Sequence, residues 1–288
     1  MKKLLTLLAL TISFSMNAQM SDNSANNNTA GSYAVAMGSD TEASGSYSTA
    51  MGKGTTASGS YSTAMGYYTT ASGLESTAMG ENTEASGYVS TAMGRSTTAS
   101  GWYSTAMGSA TTASGDVSTA MGSATTARDY ASVVIGQYNS SGSSATSADS
   151  FSTSAPAFVI GNGTFGSLSD AFKVMFNGDT TVGGDITISS DARLKSNIVS
   201  LGSTLSKLLL IDGKSYEKDG KQRIGVLAQE IQEVFPELVT EDGNEMLAVN
   251  YQGLVPVLIN ALKEQDKIIK SQEERLTNIE KVIAKLND

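Results

Sequence analysis

Gly45-Ser46-Tyr47-Ser48-Thr49-Ala50-Met51-Gly52-Lys53-Gly54-Thr55-Thr56-Ala57-Ser58 is one unit of a fourteen-residue pattern, and Gly59 opens the next. Met-Gly or Ile-Gly recurs at Met37, Met51, Met65, Met79, Met93, Met107, Met121 and Ile135. Alanine holds a second fixed position at Ala43, Ala57, Ala71, Ala85, Ala99, Ala113 and Ala127. A strict period of this kind means a solenoid, each unit one coil stacked on the next. Fourteen residues are too few for two helices and a turn, and Gly, Ser, Thr and Ala dominate. The coil is therefore expected to be two short strands and two tight turns, with Gly38, Gly52 and Gly45, Gly59 and their equivalents supplying the turn conformations. Alternation along Ser-Thr-Ala-Met sends Met and Ala to opposite sides of the strand. The expectation is that Met fills the coil, while Ala, being small, faces outward and lets another chain come close. About eight such coils at ~4.8 Å each make a shaft of roughly 40 Å. One large side chain per coil sets little burial against roughly 1–2 kcal/mol of backbone entropy per ordered residue, so association of several copies is expected.

Residues 31–136 resemble the head of YadA-like trimeric adhesins, whose units carry Val-Ala-Ile-Gly where this chain has Thr-Ala-Met-Gly. The resemblance implies a left-handed parallel β-roll and a homotrimer. Such adhesins end in a membrane β-barrel anchor, for which no counterpart is read here, so membrane autotransport is not expected. Four positions per unit vary. Aromatics among them, Tyr67, Tyr68, Tyr88, Trp102 and Tyr103, suit a face for a cell-surface protein or glycan receptor, or else pack across subunits as tolerant turn residues. Glu42, Glu75, Glu81, Glu84 and Asp116 are scattered over turn positions rather than paired as glycosidase carboxylates need.

Residues 1–19 read as a secretory signal peptide: Lys2-Lys3, the apolar run Leu4 to Phe14, then Met16-Asn17-Ala18-Gln19, with cleavage after Ala18 or Gln19. A polar segment, 20–30, precedes the repeats. No later run approaches about twenty apolar residues, so no membrane-spanning segment is expected in the mature chain, which should be secreted or held at the cell surface. The net charge of −9 disfavours a nucleic-acid partner. Residues 137–189 read as a Ser-rich insertion, a repeat-like coil at Phe158-Val159-Ile160-Gly161, and a neck of short alternating strands from Ala171 to Ser189, with turns at Asn162-Gly163 and Asn177-Gly178.

The repeats give way to Ser190-Asp191-Ala192-Arg193-Leu194-Lys195. With no histidine and no cysteine in the chain, Ser/His/Asp and Cys/His catalysis and zinc sites are removed, and neither cofactor nor metal is expected. A hydroxyl here is left with lysine, a carboxylate or an amino terminus as its base. A lysine base must be neutral, which takes desolvation or a neighbouring cation to bring it down from roughly 10.4, and Arg193 is placed to be that cation. Residues five apart do not share a helix face, so a turn or a second chain must bring Ser190 and Lys195 together. The other reading is an ordinary helix N-cap with a solvated basic turn.

Downstream come Asn197-Ile198, Gly225-Val226-Leu227-Ala228-Gln229-Glu230, Phe235-Pro236-Glu237-Leu238-Val239, Val249-Asn250-Tyr251, Leu254-Val255-Pro256 and Leu258 to Glu264. This ordered set resembles the peptidase S74 family, the intramolecular chaperone of endosialidases and other phage tail fibres, over residues 190–288. The resemblance implies a small α+β domain that trimerises, templates the fibre ahead of it and then releases itself. Ser190 would be the nucleophile and Lys195 its base, with scission beside Ser190, between Ser190 and Asp191; Asp191 and Arg193 match the motif without an assigned role. Within this part, Ser203 to Ile211 and Ala228 to Val234 read as helices, Tyr216 and Ile224 to Leu227 as strands, and Asp242-Gly243-Asn244 as a hairpin turn. Residues 251–287 carry a heptad, with Leu258, Gln265, Gln272, Ile279 and Leu286 at one core position and Leu262, Ile269, Leu276 and Ile283 at the other, which predicts a coiled coil. The whole reads as a mainly β homotrimeric fibre with a self-releasing chaperone. The alternatives are an adhesin whose C-terminal domain trimerises without cutting, and a polysaccharide-degrading fibre enzyme.

Overall fold

The computed structural model describes residues 27–140, 147–218 and 220–287, so the expected signal peptide and most of the polar segment after it lie outside the described residues. The chain divides into two units, Met1–Ile188 and Ser189–Asp288. In the first, five-residue strands such as Thr49–Lys53 and Thr63–Tyr67 stack in parallel, and two-residue strands such as Thr56–Ala57 and Thr70–Ala71 stack in a second sheet. The register offset is one unit, Met51 against Met65 and Ala57 against Ala71. This is a β-solenoid of about eight coils.

Its interior is the reverse of the expected one. Ala50, Ala57 and their equivalents are 0 % exposed, whereas the methionines are half-buried on the outer face. Four side chains per coil point inward, as in Ser48, Ala50, Thr55 and Ala57, all small and all 0 % exposed. The alternation rule separates Met from Ala correctly; what it lacks is the width of a fourteen-residue coil. Ala78→Met is therefore expected to overpack the lumen and lower stability by about 1–3 kcal/mol, measured by denaturant unfolding. A near-neutral effect would show that the coil can widen.

The two glycine ladders differ. Gly80 lies at φ +124°, and a Cβ there would meet the carbonyl oxygen of Gly94, one coil on, at 1.9 Å. Gly59 does not adopt a left-handed backbone; its Cβ would meet the Gly73 carbonyl oxygen at 1.9 Å, so close stacking rather than turn conformation excludes a side chain. The left-handed conformation falls instead on the variable residues beside it, Tyr61, Glu75 and Val89 at φ 58°, 59° and 53°. Each costs roughly 1–2 kcal/mol. Stacking holds them there: Tyr61 N donates to Ser46 O at 2.8 Å and Val89 N to Leu74 O at 2.9 Å. Where stacking of this corner stops, so does the glycine. Asp129 takes the glycine position of the last coil and is 2 % exposed, and the returning insertion covers the corner through Tyr130 N to Ser147 O and Asp116 N to Ala148 O.

Asn139 closes the short-strand sheet by acting as a strand residue with its side chain. Thr126 N donates to its Oδ1 at 2.7 Å and its Nδ2 donates to Thr126 O at 3.1 Å. The long sheet continues past the insertion: Pro156–Asn162 stacks in parallel on Val133–Gln137, Ile160 against Ile135. It then turns back antiparallel through Asp170–Met175 and Thr180–Val182. The turn at Asn177-Gly178 is present, with Gly178 at φ 85°. The turn expected at Asn162-Gly163 lies further on, where Thr164 and Ser167 pair around Gly166 at φ 83°. The neck strands end at Val182; residues 185–190 have no regular structure.

The second unit contains the helix Leu205–Leu208, the hairpin Lys214–Lys218 with Lys221–Gly225, and the helix Ala228–Val234, which stops ahead of Pro236. A second hairpin, Val239–Glu241 with Leu247–Val249, precedes the long helix Leu254–Asn287. Ile231, Phe235, Leu238 and Val257 form the core, packed by Leu208, Ile211, Val226, Val249 and Leu254. Beyond Ala261 the helix has no buried residue, and its heptad positions Leu262, Ile269, Leu276 and Ile283 are 44–69 % exposed.

Candidate functional site

At the start of the second unit the backbone is extended at Asp191 (φ −62°, ψ 132°), makes a single 3-10 turn over Ala192–Leu194, and is extended again at Lys195 (φ −120°, ψ 143°). Two hydrogen bonds close the turn, Leu194 N to Asp191 O and Lys195 N to Ala192 O, both 3.1 Å. The turn folds the chain back so that Lys195 Nζ donates to Ser190 Oγ at 2.6 Å. Helical spacing would keep these two apart; one 3-10 turn between extended residues brings them together.

The capping residue is Asp191 rather than Ser190, which leaves the serine hydroxyl to the lysine. Asp191 Oδ1 accepts from Arg193 N at 2.8 Å. The same carboxylate takes the Arg193 guanidinium side-on, with Nε at 3.0 and 3.1 Å and a terminal nitrogen at 2.6 Å. Arg193's side-chain bond, then its backbone N–H, hold the Asp191 carboxyl below the usual carboxylate range, and the same pair raises Arg193. Arg193, which the sequence offers as a cation to act on Lys195, has its guanidinium paired with Asp191. Residues 183–203 are exposed throughout, the dyad included.

A contact with no signal in the sequence orders the chain just beyond the motif. Glu264 of the long helix accepts from Thr204 N at 2.6 Å, Ser203 Oγ at 2.7 Å and Leu205 N at 3.3 Å, while Thr204 Oγ1 donates to Val257 O at 3.2 Å. In effect Glu264 caps the short helix from sixty residues away. The Thr204 N–H first, then the Ser203 hydroxyl, hold the Glu264 carboxyl below its ordinary value. Its stabilisation is thus complete above the unfolded-chain value of about 4.3 and is lost as pH falls through the lower folded value. Glu264→Gln is expected to lower the thermal midpoint at neutral pH and to abolish the part of its decline on acidification due to this group. Parallel pH profiles of the two proteins would show another carboxylate to be responsible.

The scattered carboxylates stay scattered, Glu75 and Glu81 at opposite corners of a coil and Glu42 and Glu84 on the short strands. Among the described residues no three acidic side chains form a metal-binding group, and no helix is long and apolar enough to cross a membrane.

Comparison with known proteins divides the chain in the same way. Residues 190–240 match the family described as chaperone of endosialidase, and six segments between residues 30 and 139 match the YadA head domain repeat. The chain is similar to the long tail fiber protein Gp37 of Enterobacteria phage K3, 36 % identical over 103 residues, covering 32 % of this chain and 8 % of that one. The Gp37 of Enterobacteria phage T2 matches to the same extent. The Gp37 of Enterobacteria phage M1 is 30 % identical over 114 residues, 35 % of this chain and 45 % of that one. The chain thus carries YadA-type head repeats ahead of a chaperone-of-endosialidase segment, and spans less than half the length of these relatives.

Proposed function

We propose that this chain is the subunit of an exported homotrimeric fibre whose C-terminal unit gathers three copies, sets the register of the solenoid and then cuts itself free. The observation that carries the reading is the 2.6 Å contact between Lys195 Nζ and Ser190 Oγ at the start of the second unit. Two features support the trimer: the exposed heptad of the long helix, and the ladder of half-buried methionines along the outer face of the solenoid. Each is an apolar stripe that a second and a third copy would cover. Helix association before strand stacking removes the slow step of registering non-local strands.

In the cutting step Lys195, stripped of its proton where further copies cover and desolvate the turn, takes the hydroxyl proton of Ser190 as the oxygen attacks a peptide carbonyl. The proton passes from the lysine ammonium to the departing amine, and water hydrolyses the resulting ester. Attack within one chain closes a five-membered ring only on the carbonyl of Ser189. Scission between Ser190 and Asp191 takes the hydroxyl of a neighbouring copy, because a serine oxygen cannot bond its own carbonyl carbon without a four-membered ring. Intact mass of the two products tells these apart.

A second reading, an adhesin whose C-terminal unit is a permanent trimerisation foot, is favoured by one observation: the Asp191 cap and its Arg193 pair make a turn that is structurally self-sufficient. A mature chain that stays whole after trimerising would establish it. Both readings place the protein outside the cell, with a cell-surface protein or glycan as the receptor to be sought.

A further inference from the structure

Three aromatic groups line the corners of the solenoid, and they differ in which ring surfaces are left open. Tyr33, Tyr47 and Tyr61 stack face to face at 5.0 and 5.1 Å, so each ring covers the next. At the opposite corner Tyr67 already has a cation, Lys53 Nζ, at 5.8 Å from its centroid. The third group is built otherwise. Tyr88 meets Trp102 at 6.0 Å and 67°, and Tyr103 at 5.3 Å and 83°, edge contacts that leave ring faces free. Trp102 is 60 % exposed and Tyr103 52 %.

This corner is held in place by its neighbours in the stack. Trp102 N donates to Asp116 Oδ1 at 2.7 Å, and Tyr103 N to Tyr88 O at 2.7 Å. Its charge has one sign: the corner residues 73–75, 87–89, 101–103 and 115–117 include Glu75 and Asp116 and no lysine or arginine. Glu75 is near enough for its charge to raise the Tyr88 phenol. Open indole and phenol faces beside the Glu75 carboxylate are what a weakly hydrated organic cation requires, since ring quadrupoles and a carboxylate attract it together. Inorganic cations keep their water, and a neutral sugar, which can also stack on the rings and donate hydroxyls to a carboxylate, lacks the charge that an acidic corner attracts.

We propose that the corner formed by Glu75, Tyr88, Trp102 and Tyr103 binds an alkylated ammonium group, such as that of choline. Trp102 is the one tryptophan of the chain, so its emission reports on this site alone. Titration of the full chain with choline chloride should give a saturable emission change that sodium chloride at equal ionic strength and methyl glucoside do not give. Tyr88→Ala and Glu75→Gln should each weaken binding by roughly threefold to thirtyfold, the range expected for loss of a cation–ring or carboxylate contact. Glu75 is exposed, so its variant tests the charge without touching the fold. Phosphatidylcholine vesicles provide the second arm: cosedimentation that Glu75→Gln abolishes makes a lipid headgroup the source, and a response to free choline alone makes it a soluble cation. Three results overturn the proposal. They are the absence of a saturable change, an equal response to methyl glucoside, and a Trp102 shielded from acrylamide, which would show another copy covering the corner.

Discussion

Replacing Ser190 by alanine should leave the purified chain at full mature mass, while the unchanged chain parts into a repeat-bearing piece and a C-terminal piece beside residue 190. The hydroxyl is the only atom removed, and Ser190 is exposed, so the far-ultraviolet circular dichroism of the variant should match that of the parent. Lys195→Met keeps the nucleophile and removes its base, with a loss of roughly 10²–10⁴ in rate. The Asp191 carboxylate bonds Arg193 rather than either member of the dyad, capping the turn and occupying the guanidinium. Asp191→Ala should therefore slow cleavage less than either dyad variant, and Asp191→Asn, which can still accept the Arg193 N–H, should recover part of the rate. Should the unchanged chain stay whole while still trimerising, the turn is a structural cap and the permanent-foot reading replaces the self-releasing one.

Much of this architecture was legible because it is local and periodic. The fourteen-residue spacing set the coil, the register and the count of strands per unit, since each coil contacts little but its neighbours. The order of elements in the second unit followed from its caps, turns and Pro236. What failed was size rather than pattern. Period two says that Ala78 and Met79 face opposite ways, but which way is inward depends on the separation of two sheets. Gly59 and Gly80 likewise look alike in the sequence, although only Gly80 is in a left-handed conformation. In the candidate site, the pair Ser190 and Lys195 was readable as a motif, and the 3-10 turn that unites them was not, because five-residue spacing carries no turn type. Glu264 was unreadable for a different reason: its partners are brought to it by the folding of everything between.

Gly80→Val should be the most damaging single change in the solenoid, costing more than about 4 kcal/mol in its equilibrium stability. Two independent penalties coincide there. A β-branched residue is forced to φ +124°, and its Cβ falls 1.9 Å from the Gly94 carbonyl oxygen, a backbone atom that moves only if the ladder moves. That ladder is the register of Thr77 to Glu81 against Thr91 to Arg95, five residues long and continuous with the coils on both sides. Ala110→Gly provides the control of opposite sign. Ala110 sits at φ 56°, and removing its Cβ relieves a left-handed residue without leaving a hole in the lumen, so stability should hold or rise by up to roughly 1 kcal/mol. Because an array of coils is stabilised by nearest-neighbour contacts, the damage at Gly80 should be spatially confined. Hydrogen exchange is expected to accelerate in the coils flanking residue 80 and to remain slow near residues 119–137. Uniform acceleration along the array would show instead that the eight coils fold as one cooperative block, with the C-terminal unit, rather than stacking alone, setting their stability.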